Sequence, residues 1–294
     1  MTGAVGIVGQ GAWGSALAES LRAGGAQVVT WRRGGARGRL GECAIVLSAV
    51  PAQATRTVLG DLSTRLHSGA VLVLTAKGLE RGTLLRQSEV AAEVAPGHPI
   101  AVLSGPSFAA DLVQGLPTAV ALATEVNDAE ALQRQLATPS LRPYLTADVT
   151  GVELGGALKN VIAIACGVAI GAGLGESARA ALMARGFSEI VRIGLASGAR
   201  EQTLTGLGGL GDLVLTATSD QSRNFSYGRL LGAGSAVPEA GTYEGVATAQ
   251  AAQTLANGLG LECPIIATVA ALVEGRLAVR EAVEQLYNRP LRRE

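Results

Sequence analysis

Of the 24 basic residues in this 294-residue chain, 22 are arginine, and only Lys77 and Lys159 are lysine. Arginine keeps its charge at any physiological pH, whereas lysine carries a compact ammonium that releases a proton when burial lowers its pKa. A chain so biased towards arginine keeps lysine where arginine cannot serve. Both lysines stand in apolar settings, Lys77 after "VLVLTA" and Lys159 in "GGALKNVIAIACG", a run with no other charge. The competing reading is chance survival of two lysines that snorkel to water.

Glycine-dense segments supply the second kind of chemistry. "GIVGQGAWG" sets Gly9, Gly11 and Gly14 as GxGxxG between a short apolar run and a helical pattern. The first two glycines allow a tight turn and close approach to a pyrophosphate; the third allows helix–strand packing, and the helix N-terminus faces the anion. This context points to a dinucleotide, with a structural glycine turn as the alternative. No acidic residue for the ribose hydroxyls of NAD ends the second strand; "TWRRGG" offers Arg32 and Arg33 instead. Arginine there accommodates a 2′-phosphate, so NADP is favoured over NAD, with NAD possible and a solvated basic turn as the alternative. In "TLTGLGGLGDLVLTATSDQSRN" (203–224), Asp212 follows Gly208, Gly209 and Gly211, where backbone can come close to a ligand. Ser222, Arg223 and Asn224 then combine one charge with short hydrogen-bonding groups suited to a phosphate. A glycine turn with an exposed arginine is the alternative there.

The first half of the chain alternates β-rich runs with helical patterns, which predicts a doubly wound, parallel α/β sheet of the Rossmann type. Strands are expected at 4–8, 27–31, 44–50, 70–76, 100–104 and 118–123, with a helix over 12–23. Three strands end in "VPAQ", "AKGLE" and "SGPSF", and open α/β sheets bind ligands at those carboxyl ends. Beyond about Thr150 the strand pattern stops, and 176–198, 243–260 and 263–287 read as helices. The division expected is a dinucleotide-binding domain over 1–150 and an all-helical substrate-binding domain over 151–294.

Composition narrows the classes. Hydrophobic residues make up 48% and charged ones 16%, which suits well-buried cores; net charge is zero and no long basic tract exists, which argues against nucleic-acid partners. Cys43, Cys166 and Cys263 lack CxxC spacing, and His67 and His98 are too few for a usual metal centre, so no metal site is expected. The longest uncharged stretch, Asn160 to Gly175, is shorter than the roughly 20 residues of a spanning helix and is broken by glycines. It reads as a buried helix. The first residues form a strand pattern rather than a leader, which predicts a cytoplasmic protein.

GxGxxG, "TAKGLE", "SGPSFA", "GVELGGALKNVIAIACG", "ARAALMARG", "GLGGLGDLVLTATSDQSRN" and "YEG" occur in the order seen in bacterial-type NAD(P)-dependent glycerol-3-phosphate dehydrogenases, and the resemblance spans almost the whole chain. It implies reduction of dihydroxyacetone phosphate to sn-glycerol 3-phosphate for glycerophospholipid synthesis, between a Rossmann domain and a helical one, with a homodimer as a possibility. By motif position, Lys159 is similar to the family's catalytic lysine and Lys77 to the second lysine that contacts substrate. Gly105, Ser107 and Ala109 match the substrate and cofactor loop. Asn160, Asp212 and Thr216 match polar groups around the reacting centre, and Ser222, Arg223 and Asn224 the phosphate segment. Glu244 matches a glutamate near the cofactor, as Lys77 and Arg223 also are.

The chain departs from that pattern in two places. Only eleven residues, "RRGGARGRLGE", separate Trp31 from Cys43, where the family usually carries a longer segment. This implies a more open adenine side. Ala12 replaces a frequent serine in the pyrophosphate turn, while Trp13 keeps an aromatic. Two rivals remain: a β-hydroxyacid dehydrogenase, whose lysine and asparagine usually lie several residues apart rather than adjacent as in Lys159–Asn160, and a catalytically silent NADP-sensing module.

Overall fold

A computed structural model of the chain describes residues 3–33, 39–238 and 241–287, the last two as backbone only. Strands β1 (Val5–Val8), β2 (Val28–Trp31), β3 (Ile45–Ser48), β4 (Val71–Leu74), β5 (Ile100–Ser104), β6 (Thr118–Thr124) and β7 (Leu141–Thr146) form one sheet in the order β2-β1-β3-β4-β5-β6-β7. β1, β3 and β4 are buried along their whole length, because helices cover both faces; this is why they read as unbroken aliphatic runs. Helices α1 (Ala12–Ala23), α2 (Thr55–Leu62), α3 (Gln87–Val94), α4 (Ala109–Val113) and α5 (Ala129–Leu136) link the strands. Alternation along the strands sorts the core: Ile7, Leu47 and Val73 pack with Leu17, Leu21 and Leu132 on one face. Val8, Val46 and Leu72 pack with Val58, Leu59 and Ala91 on the other.

The sheet differs from the expected one in two respects. β6 runs antiparallel to β5, pairing Ala101 with Thr124 and Ser104 with Ala121. The link between them contains only the five-residue α4. Such a helix rises about 7.5 Å, less than half of a strand of about 17 Å, so it forms no full crossover helix, and the next strand returns in the opposite direction. β7, parallel to β6 at the sheet edge, was absent from the expected strands. Its segment "LRPYLT" alternates exposed Arg142 and Tyr144 with buried neighbours and holds Pro143, which an edge strand tolerates.

From Val149 onward every described element is helical: α6 (Val149–Gly171), α7 (Gly175–Ala196), α8 (Glu201–Leu204), a π-helical turn at Leu207–Gly211, α9 (Asp212–Ala217), α10 (Arg223–Gly232), α11 (Glu244–Gly258), α12 (Pro264–Val273) and α13 (Val279–Tyr287). The long pattern expected over 263–287 splits at Gly275, whose φ of +69° ends α12. The expected buried helix starts earlier than Asn160, and its glycines do not break it. Every residue from Gly151 to Ala169 is buried, so α6 forms the axis of the helical layer. Gly167 and Gly171 face Gly228 and Gly232 of α10 so closely that a Cβ on any of the four would strike the partner helix's backbone. α6 has the length and apolarity of a membrane span, but 89% of that window is buried inside the protein. Leu79, just past β4, packs into the helical core, and Val152 of α6 packs into the sheet core, so the two layers share a boundary. Cys43, Cys166 and Cys263 are free and buried.

Candidate active site

Strand order places the chemistry in a row. Arg32, Gly9, Ala49, Lys77 and Gly105 lie at or just past the carboxyl ends of β2, β1, β3, β4 and β5, neighbours in the sheet, so the row spans four strand spacings, about 19 Å. The order reverses at β1 and β3, where a doubly wound sheet opens a crevice. Gly9 turns there with φ +100°, and a side chain on it would meet the Ala49 carbonyl oxygen at 2.6 Å. The Gly14 Cβ position is taken by the Gly9 carbonyl, which draws α1 against the turn. Gly11 begins α1 with no side-chain cap and faces open space. Backbone N–H groups of Ala12 and Trp13 therefore border a cradle that fits a pyrophosphate. Arg32 and Arg33 are exposed at the outer end of the row, whereas residues 34–38 of the short segment lie outside the described residues.

The two lysines arrive from opposite layers and meet on one carboxylate. Lys77, on the turn after β4, donates to Asp212 Oδ2 at 2.7 Å and to the Gly105 carbonyl at 2.9 Å. Lys159, on α6, donates to Asp212 Oδ1 and, at 2.6 Å, to Thr216 Oγ1. Asp212 starts α9, so its carboxylate stands one turn below Thr216 and presents both oxygens to the cleft. The glycine-dense segment before it is the π-helical turn rather than a loose loop. Lys159 and Asp212 side chains are only 6% and 1% exposed, while Lys77 keeps 18%. Burial lowers the pKa of the Lys159 ammonium most, Asp212 opposes, and Lys77 adds to the fall, leaving it at about 7 instead of 10.5. A buried lysine that titrates near neutrality both donates and accepts a proton at working pH.

Around this pair the other anticipated residues take distinct places. Asn160 Nδ2 donates to the Lys77 carbonyl at 3.0 Å and so joins α6 to the β4 turn. Ser107 Oγ donates to the Gly105 carbonyl at 2.9 Å, and Ala109 opens α4 just beyond. Ser222 caps α10 by accepting from Phe225 N at 3.2 Å, and Asn224 Oδ1 accepts from Gly245 N at 3.0 Å, so these two side chains already serve the fold. Arg223 between them is exposed, and its charge acts on Glu244. Glu244 begins α11 and accepts from Ala52 N at 3.1 Å; burial raises its pKa, with the Ala52 bond and the Arg223 charge opposing. A cavity of about 530 Å³ lies here, bordered by Pro51, Gln53, Tyr227, Tyr243 and Glu244.

Two residues that support the site were not foreseen. Glu153, buried on α6, accepts from Ser88 N at 2.7 Å and Ser88 Oγ at 2.6 Å, with Arg86 at 3.4 Å. Desolvation pushes it up to about 7 against those bonds. Gln87, buried at the start of α3, donates to the Gly78 carbonyl at 2.9 Å. Sequence carries no signal for either role, since Glu153 depends on α6 meeting the start of α3 and Gln87 on α3 meeting the turn after β4. Among the described residues, no cluster of His, Cys, Asp or Glu could hold a metal ion.

An uncapped helix end over a glycine turn, with a lysine at the same sheet edge meeting a neutral-titrating lysine of the core helix on one carboxylate, is the equipment of a Rossmann-type dehydrogenase that works with a nicotinamide cofactor. The comparisons refine the class. Residues 36–130 match the N-terminal model, and 148–284 the C-terminal model, of NAD-dependent glycerol-3-phosphate dehydrogenase. A glycerol-3-phosphate dehydrogenase [NAD(P)+] of Cereibacter sphaeroides is 53% identical, over 99% of this chain and 100% of its own length. The like-named protein of Paracoccus denitrificans is 48% identical over 99% of each. The crystal structure of glycerol-3-phosphate dehydrogenase from Coxiella burnetii superposes with a TM-score of 0.90 at 33% identity, over 98% of this chain and 99% of that one. The chain belongs to the NAD-dependent glycerol-3-phosphate dehydrogenase family.

Proposed function

We propose that the protein catalyses the reversible reduction of dihydroxyacetone phosphate to sn-glycerol 3-phosphate, with NADPH favoured over NADH. The observation that carries this reading is the ammonium of Lys159, buried, bonded to the Asp212 carboxylate that also accepts from Lys77, and titrating at about 7. Gly9, Gly11, Ala12, Trp13 and Gly14 would hold the pyrophosphate, Arg32 and Arg33 the ribose 2′-phosphate, and Lys77, Ala109, Arg223 and Glu244 would border the same cofactor. When bound, it supplies the hydride. Lys159 donates a proton to the substrate's carbonyl oxygen and, in reverse, removes the proton of the hydroxyl. Asp212 and Thr216 aim Lys159 and keep its charge available, while Lys77 adds a second positive group beside the developing oxyanion.

Gly105, Ser107 and Asn160 border the substrate. The phosphate falls to Arg223, with Ser222 and Asn224 shaping the α10 N-terminus beneath it. Binding energy from that remote group orients the carbonyl for hydride attack. We place the cofactor on a domain of residues 1–150 and the substrate machinery on 151–294. A cytoplasmic homodimer supplying glycerophospholipid synthesis fits the family. The test is oxidation of NADPH by purified protein with dihydroxyacetone phosphate. Turnover with it, and none with β-hydroxyacids in reverse, supports the reading; cofactor binding without turnover would replace it with a sensing module.

A further inference from the structure

The Lys77 ammonium reaches Asp212 from a turn, just past β4, that belongs to no helix or strand. Two carboxamides hold that turn by consecutive carbonyls: Asn160 Nδ2 at the Lys77 oxygen, 3.0 Å, and Gln87 Nε2 at the Gly78 oxygen, 2.9 Å. We propose that Gln87 is a positioning residue for the reaction, the second jaw of a clamp with Asn160 that aims Lys77 at Asp212. The proposal rests on the roles given above to Lys77 and Lys159.

Three further observations carry it. Gln87 is 1% exposed, and its Oε1 is buried without a hydrogen-bond partner among the described residues. An apolar side chain of similar length would fill the space without leaving a buried polar atom unpaired, so the grip on Gly78 is what the amide contributes. Gln87 is itself anchored: the adjacent Ser88 bonds Glu153 of α6 through both its N and its Oγ, and Arg86 Nη1 bonds Thr150 Oγ1 at 2.6 Å. α6 thus holds the β4 turn directly through Asn160 and indirectly through Glu153, Ser88 and Gln87, the two attachments lying two helical turns apart. On the far side the Gly78 Cα is closely packed, because a Cβ on it would meet Glu244 Oε2 and Ala52 Cβ at 3.0 Å and Thr248 Oγ1 at 3.1 Å, so the freedom left to the turn is rotation of its peptide planes, which the Gln87 bond fixes. Without Gln87 the Gly78 peptide is free to rotate, and the Lys77 ammonium withdraws from Asp212.

The test compares full-length wild type, Gln87→Met, Lys77→Met and the double variant by kcat, KM and the pH profile of kcat/KM for dihydroxyacetone phosphate. Gln87→Met should lower kcat about 10- to 100-fold, as misplacement of a catalytic group by about 1 Å does. Its pH midpoint should move upward, because the Lys77 charge no longer depresses the Lys159 ammonium. In the Lys77→Met background the same substitution should have no further effect, as expected for residues acting as one unit. Unchanged kcat and midpoint with only a lower Tm, or an equal loss in both backgrounds, would overturn the clamp. Should Gln87→Met fail to fold, Gln87→Asn, which keeps the amide but not its reach, is measured against the same criteria. If Lys77→Met leaves turnover intact, the reading of the site falls and the clamp with it. If Lys77→Met abolishes turnover while Gln87→Met does not, the clamp alone falls.

Discussion

Lys77 and Lys159 bind opposite oxygens of a single buried carboxylate, Asp212, one from the sheet edge and one from the core helix. Two ammonium groups on one carboxylate leave one positive charge in excess where a carbonyl oxygen would gain negative charge during reduction. In the proposed reaction that excess would stabilise the developing oxyanion, and the more deeply buried lysine is the one whose proton is easily released.

The pH dependence of activity follows from Lys159. Donation requires its protonated form, so kcat/KM for reduction should be level in acid and fall as pH rises through about 7, whereas oxidation should rise through the same midpoint. Asp212→Asn removes a contribution that raises this pKa, so its midpoint should lie lower and its turnover should fall about 100-fold or more. Steady-state profiles in both directions check this, and a reduction rate that climbs with pH through neutrality would contradict it.

Arg223 carries the proposed phosphate contact because Ser222 and Asn224 already cap α10 and hold Gly245. Arg223→Ala should weaken kcat/KM for dihydroxyacetone phosphate far more than for unphosphorylated dihydroxyacetone, by a difference of about 1.5–3 kcal/mol for a charged hydrogen bond. Equal losses on both substrates would move Arg223 to the fold or the cofactor.

Arg32 and Arg33 are exposed at the end of β2, where an acidic residue would instead favour NAD. Arg33→Asp should depress efficiency with NADPH much more than with NADH. A matched decline with both cofactors would remove the arginine from that role.

Glu153 makes stability depend on pH. Its pKa rises from 4.5 to about 7 on folding, so between those values the folded state holds a proton that the unfolded state releases. Its contribution to stability therefore falls as pH rises across that window. Glu153→Gln keeps an acceptor for Ser88 N without the charge, so the variant's Tm relative to wild type should increase from about pH 5 to about pH 8. Parallel melting curves across that range would show that Glu153 is not protonated in the folded protein.

The two lysines were legible in the sequence because lysine is rare in this chain, and the glycine turn and Asp212 because their spacing within glycine-dense motifs has a chemical reason. Six of the strands were legible as short β-rich runs, most plainly β1, β3 and β4, where burial on both faces leaves aliphatic residues throughout. β7 was not, since an edge strand with Pro143 and outward Arg142 and Tyr144 shows no such run. The reversal of β6 was hidden for another reason: strand direction depends on how far a connection can travel, not on the strand's own residues. Glu153 and Gln87 look like ordinary polar residues of a helix, and only the folded chain shows that both are buried, one bonded to Ser88 and the other to Gly78. That Ser222 and Asn224 serve as cap and tether was equally invisible, because a phosphate site and a helix start use the same short polar side chains.

The most direct test of the account is turnover by Lys159→Arg. Arginine preserves the positive charge opposite Asp212 but holds its proton far too firmly to transfer it. Reduction of dihydroxyacetone phosphate should fall at least about 100-fold, the scale of general acid catalysis, with NADPH binding and the circular dichroism spectrum retained. Near-normal turnover by Lys159→Arg would contradict proton transfer by this residue and leave it an electrostatic anchor.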